Sequence, residues 1–160
     1  MHPMTLALML TASLLLAAGP TPTPTPKPAM APAPAPGEAG KEPEHITIQH
    51  VLIGFTGSVP GKNITRTQDE AKKLAEEILA RAKKGEDFDG LVKKYTDDSP
   101  PGIYAMANNG ATPAAGEYAR GRMVPAFGDA GFPLQVGEFG MASYDKTKSP
   151  YGWHIVKRLK

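Results

Sequence analysis

Between Gly19 and Pro43 the chain reads GPTPTPTPKPAMAPAPAPGEAGKEP, and nine of its seventeen prolines fall in that stretch. Proline lacks an amide donor and holds φ near about −65°, so such alternation fits neither a helix interior nor a sheet ladder. It favours an extended polyproline II spacer without a core. Fully extended at about 3.1 Å per residue, the stretch would reach about 75 Å. Any core must lie to one side of it, and only the C-terminal side is long enough.

On the N-terminal side, Met4 to Ala18 (MTLALMLTASLLLAA) is an uncharged apolar run ending at Gly19-Pro20. It falls short of the roughly 20 residues that span a bilayer and suits the core of a secretory signal. Met1-His2-Pro3 brings no lysine or arginine ahead of it, and no A-x-A cleavage site follows. Residues 1–19 therefore read as a signal peptide or an uncleaved anchor, 20–44 as a disordered Pro-rich linker and 45–160 as one domain. Export to a periplasm or cell envelope follows from that order, with membrane contact only through an uncleaved N-terminal segment.

Composition removes several chemistries. There is no cysteine, which excludes disulfides, thiolate zinc, iron–sulfur clusters, a cysteine nucleophile and lipid attachment at a thiol. Lysine plus arginine (18) nearly balances aspartate plus glutamate (16), without the basic excess that phosphate neutralisation demands, so nucleic acid is not the expected partner. His45 and His50, five apart on one predicted strand, point to opposite faces and cannot chelate one metal. The stretch GFTGSVPGK lacks the spacing of a phosphate loop.

Within 45–160, His45 to Phe55 (HITIQHVLIGF) is a predicted strand with apolar residues at both parities, hence covered on both faces and central. Thr67-Gln68-Asp69-Glu70 is a capping box. Behind it Ala71, Leu74, Ala75, Ile78, Leu79 and Ala82 fall on one helical face, and Gly85 supplies the stop. Asp87 caps a second helix carrying Phe88, Leu91, Val92 and Tyr95. Thr96 to Pro113, rich in Pro, Gly, Asn and Asp, reads mainly as loop. Gly116 to Tyr118 reads as a short strand, Pro125 opens a short helix to about Ala130, and 139–142 and 153–159 read as strands.

The order of several short pieces is specific. Gln49-His50-Val51-Leu52-Ile53, Ile64-Thr65-Arg66-Thr67, Phe88-x-x-Leu91, Tyr95-Thr96-Asp97-Asp98-Ser99, Arg120 to Phe127 (RGRMVPAF), Gly137-Glu138 and Tyr151 to Val156 (YGWHIV) follow one another as in parvulins. Over residues 46–160 the chain resembles parvulin-type peptidyl-prolyl cis/trans isomerases of the exported bacterial type. The resemblance implies an α+β fold, a four-stranded, mostly antiparallel sheet surrounded by about four helices, with the site on the concave face. It also implies a monomeric folding factor acting on proline-containing polypeptide clients without cofactor or metal.

Spacing alone would make Met123 and Phe127 helix-face core, His50 and His154 satisfied core histidines, and Asp97-Asp98 an acidic turn. The resemblance instead makes Met123 and Phe127 the floor of a proline slot, with Ala115 at its edge and Tyr151 on the substrate side. It pairs His50 with His154 beneath the site, aided by Ser149 or a nearby hydroxyl. Asp98 stands where the family carries cysteine or aspartate. The chain departs from the family where the common Gly-Gly-Asp-Leu-Gly becomes Pro113-Ala114-Ala115-Gly116, after a long loop, and in an extended segment from Ser143 to Pro150. The loop after the first strand carries only Lys62, so clients without phosphate before the proline are expected. A catalytically weak peptide-binding chaperone module and a tethered structural domain of the envelope are the rival readings.

Overall fold

The structure, a computed structural model, describes residues 41–160. The apolar N-terminal run and the Pro-rich stretch up to residue 40 lie outside the described residues. Five strands occur among those described: β1 (His45–Ile53), β2 (Ile103–Ala107), β3 (Tyr118–Ala119), β4 (Phe139–Ala142) and β5 (Trp153–Arg158). They are accompanied by α1 (Gln68–Lys83), α2 (Phe88–Tyr95), α3 (Pro125–Gly131) and a 3-10 turn over Arg120–Arg122. The sheet runs β3-β2-β1-β5-β4 and is antiparallel except for the β2–β3 pair.

β1 is central, as its two apolar parities require. Val51 and Ile53 face one way and are buried with Trp153 and Ile155 beneath α1 and α2. Ile46 and Ile48 face the other way and are buried with Met106, Val156, Phe127 and Phe132, the last two brought by α3 and its C-terminal end. On the first face α1 contributes Ala71, Ala75, Ile78 and Ala82. Its three alanines leave little bulk between helix and sheet. Burying a residue such as Ile78 or Phe132 contributes about 1.5–3 kcal/mol each, so neither face is dispensable.

Local signals set the helix ends. Thr67 accepts from the Glu70 amide at 3.2 Å, and the Glu70 carboxylate accepts from the Thr67 amide at 2.7 Å, closing the capping box. Asp87 accepts from the Gly90 amide at 2.9 Å and starts α2. Pro125 occupies the first turn of α3, where a missing amide costs nothing.

One element differs from expectation. β2 lies inside the stretch read as loop and raises the strand count from four to five. Its five residues, Ile-Tyr-Ala-Met-Ala, are flanked by proline, glycine and asparagine, and so carry no decisive local signal. The strand forms because the edge of β1 needs backbone partners, and Ile46↔Met106 and Ile48↔Tyr104 supply them with apolar side chains on the α3 face. The short strand expected at Gly116 to Tyr118 is β3, displaced to Tyr118–Ala119.

The end of the Pro-rich stretch is tied to this edge. Asn108 donates its amide proton to the Glu44 carbonyl at 2.8 Å and its side-chain amide to the Pro43 carbonyl at 3.0 Å, and Arg120 pairs with Glu42.

Just before β5 the chain passes against β1 at Gly152, whose φ is +139°. A Cβ there would sit 2.2 Å from the Ile53 carbonyl oxygen, whereas one at Gly85, with φ +92°, would meet nothing within 4 Å. Gly152→Ala is therefore expected to destabilise by more than about 2 kcal/mol, and Gly85→Ala by about 1 kcal/mol. Urea unfolding of the two variants checks this; equal losses would mean that the close approach at Gly152 is not required.

Candidate active site

On the α3 face, alternation along β1 places Ile46, Ile48, His50 and Leu52 on one side. The first two are covered by α3. The last two lie beyond it and line a cavity of about 300 Å³. β5 runs beside β1 in a register that pairs Leu52 with His154 and His50 with Val156, which sets the two histidines diagonally. Their Nδ1 atoms are 3.0 Å apart, and both rings are buried.

The third polar group arrives from the loop after α2. That loop is pinned to the free edge of β1 at two points. The Asp97 amide donates to the Leu52 carbonyl at 2.8 Å, and the His50 amide donates to the Gly102 carbonyl at 2.9 Å. Between them the chain bows outward and holds Asp98 with Oδ2 3.1 Å from His50 Nε2. The preceding Asp97 faces away from the cavity, paired with Arg66 and accepting from the Gly54 amide at 2.8 Å.

Donors around Asp98 hold its carboxyl well below the usual carboxylate range: His50 first, opposed by desolvation, then the Ser99 amide and the Tyr104 hydroxyl. An ionised carboxylate only accepts, so His50 donates through Nε2. With one proton on each ring, His154 must then donate through Nδ1 to His50 Nδ1. His154 Nε2 is left without a proton, and it is a buried atom with no hydrogen-bond partner among the described residues. Burial, followed by the neighbouring His50, pushes His154 down to about 3.

Phe127 stands at the centre of the apolar wall. It is 2 % exposed and meets His50, His154 and Tyr104 edge-on, at centroid distances of 4.9, 5.3 and 5.7 Å. Met123 and Val124, just ahead of α3, continue the wall, and Tyr151 stands at the opening, 39 % exposed.

Six of the eight site residues expected from sequence thus line one cavity: His50, Asp98, His154, Met123, Phe127 and Tyr151. Two do not. Ala115 is exposed in the turn before β3 and is absent from the lining; β3 is an edge strand, separated from β1 by β2. Ser149 is completely buried and donates its hydroxyl to the Gly152 carbonyl at 2.7 Å; no hydrogen bond joins it to either histidine. Its work is to shape the turn that delivers β5.

Sequence reasoning missed Leu52, Val59, Pro60, Tyr104 and Val124, which also line the cavity. Leu52 was within reach, since it shares the parity of His50. Val59 and Pro60 belong to the glycine-rich loop after β1, which Ser58 fastens to the far wall by donating to the Tyr151 carbonyl at 2.9 Å. Phe55, apolar like Val59, turns instead toward Tyr144 and Trp153 on the other face. Tyr104 lies on the unforeseen β2 and carries no motif.

Residues 37–160 match the family model described as the PPIC-type PPIASE domain. Foldase protein PrsA of Caldanaerobacter subterraneus subsp. tengcongensis is 41% identical over 86 residues, which is 54% of this chain and 24% of that protein. Chaperone SurA of Chromohalobacter salexigens is 31% identical over 124 residues, 76% of this chain and 24% of that protein. The chain thus spans about a quarter of the length of these curated relatives. Among solved structures, the peptidyl-prolyl isomerase ESS1 from Candida albicans superposes with a TM-score of 0.57 at 26% identity, covering 73% of this chain and 63% of that one.

The histidine pair generates a pH prediction. In the unfolded chain His154 titrates near 6.5, and in the folded chain near 3. Between those values the unfolded state takes up a proton that the folded state refuses, so stability falls as pH is lowered from about 6.5. The depressed Asp98 adds a loss of the same sign once pH drops below its unfolded value, about 3.9. The His154 ring resonances in an NMR titration are expected to stay at their neutral positions from pH 8 down to about 5. A midpoint near 6.5 would overturn the buried, neutral assignment.

Proposed function

The chain belongs to the PPIC-type PPIase family, the parvulins, and from that premise we propose that residues 45–160 catalyse cis/trans rotation of X-Pro bonds in polypeptide clients. One observation carries the reading: a slot floored by Phe127 and Met123 opens beside an ionised carboxylate, Asp98, fixed by a buried histidine pair.

The chemistry asks for no more than this. Rotation about an X-Pro bond crosses a barrier of about 18–20 kcal/mol and takes tens to hundreds of seconds uncatalysed, yet makes and breaks no covalent bond. Resonance in the planar amide places negative charge on the carbonyl oxygen and withdraws the nitrogen lone pair. A twisted amide loses both effects. With the proline ring in the apolar slot, the Asp98 carboxylate opposes charge on the oxygen and so favours the twisted form over either planar one. His50 holds that carboxylate, and His154, kept neutral by burial, holds His50. The mechanism is non-covalent.

Client choice follows from the cavity opening. Val59 and Pro60 stand there, and no lysine or arginine is among the lining residues. Arg66 is committed to Asp97 and to the Gly54 carbonyl at 3.0 Å. A phosphate before the proline carries about −1.5 to −2 charges and needs cationic donors to offset its desolvation. We take the clients to be unphosphorylated, with apolar or uncharged residues before proline. The apolar run at residues 4–18 and the Pro-rich stretch after it support an exported domain on a tether, assisting the folding of exported proteins.

Three measurements test this reading. In NMR exchange on a short Ala-Pro peptide, Phe127→Ala is expected to lower kcat/KM more than tenfold and Met123→Ala by less. Phe→Ala in a packed site also costs about 3–5 kcal/mol of stability, so a folded variant must be confirmed by circular dichroism. A folded Phe127→Ala protein with an unchanged rate would remove Phe127 from the slot. A matched Ser-Pro and phosphoserine-Pro pair is expected to show no phosphopeptide preference; one above tenfold, about 1.4 kcal/mol, would reveal a phosphate site. A chain beginning at Lys41 is expected to fold and retain full turnover, and loss of either would sink the tether assignment.

A further inference from the structure

Tyr104 brings a hydroxyl to the cavity that the proposed mechanism leaves unused. It sits on β2 opposite Ile48, on the same face as His50. Its ring meets His50 edge-on at 5.4 Å and Phe127 edge-on at 5.7 Å. Its hydroxyl donates to Asp98 Oδ2 at 3.0 Å, the same oxygen that accepts from His50 Nε2. Building on the isomerase reading above, we propose that Tyr104 is a wall of the proline slot and the positioning residue that fixes the Asp98 carboxylate toward the bound amide.

Three features carry the inference. Ala115 does not reach the cavity, so the edge expected there must come from another residue, and Tyr104 is the aromatic side chain standing in the lining on the β2 side. A carboxylate held by a single donor can swing about its Cβ–Cγ bond. Donors from two neighbouring strands, converging on Oδ2, fix that rotation. The phenol remains a donor throughout the working range, because desolvation and then the Asp98 charge push it up to about 12. A half-buried tyrosine that only filled space would have no reason to direct its hydroxyl at the one carboxylate in the slot.

The experiment compares Tyr104→Phe and Tyr104→Ala, each in the wild-type and Asp98→Ala backgrounds, by NMR exchange on a series of Ala-Pro peptide concentrations. Tyr104→Phe keeps the ring and is expected to lower kcat about tenfold with KM within twofold. In the Asp98→Ala background the same change is expected to have no further effect, since the hydroxyl acts through Asp98. Tyr104→Ala is expected to raise KM at least fivefold; should it fail to fold, Tyr104→Ser with a melting curve takes its place. An unchanged kcat in Tyr104→Phe, or the same loss with and without Asp98, overturns the positioning role. An unchanged KM on truncation overturns the wall. If the wild-type chain binds the peptide without accelerating exchange, the isomerase reading fails and the positioning role falls with it. The wall is then judged by the peptide affinity of the truncated variant.

Discussion

Antiparallel pairing of β1 with β5 is the contact on which the remainder depends. It sets β1 in the middle of the sheet, where helices cover both faces, so the apolar residues from Ile46 to Ile53 are committed by parity to one of two cores. A slip of one residue would send Val51 and Ile53 into the cavity and His50 into the helix-covered core, where its ring would have no partner. The same register that completes the hydrophobic layers therefore sets two imidazoles 3.0 Å apart.

Burying those rings is costly unless their polar atoms are used. The network answers with a single line of proton donation, from His154 to His50 to Asp98, ending on a carboxylate at the cavity. Only the far nitrogen of His154 is left out. A bare ring lone pair is an acceptor, and an orphaned acceptor is tolerated better than an orphaned N–H. The arrangement thus has a direction, with its negative end at the cavity. Phe127 closes the apolar side, at edge-on contact with three of the polar groups' rings, so that slot and network share one wall.

Around this centre the loops are fastened rather than free. The segment from Thr96 to Gly102 is tied at both ends to the edge of β1, and the loop after β1 is closed by Arg66 and joined through Ser58 to Tyr151. Such ties convert irregular chain into fixed walls through a few hydrogen bonds, each contributing about 0.5–1.5 kcal/mol net. Gly152 shows the same economy of space: at φ +139° it lets the turn before β5 lie on the backbone of Ile53.

Local order was legible in the residues because its causes are local. The Thr67–Glu70 box, the alanine-rich face of α1, the Asp87 cap and the two parities of β1 act over four or five positions, where the chain cannot avoid its own neighbours. The ordered motifs running from Gln49 to Val156 likewise pointed to the family and to six of the cavity residues, including His50, Asp98 and Phe127. What tertiary structure decided was everything whose partner is distant. β2 has too few residues to declare itself and exists because β1, more than fifty residues earlier, has an unpaired edge. Its presence put Tyr104 rather than Ala115 in the cavity lining, and the turn ahead of β5 drew the Ser149 hydroxyl to Gly152 instead of to the histidines. A hydroxyl or a short apolar strand can serve several partners equally well; which one it meets is set by the packing of the whole chain, and no window of sequence contains that information.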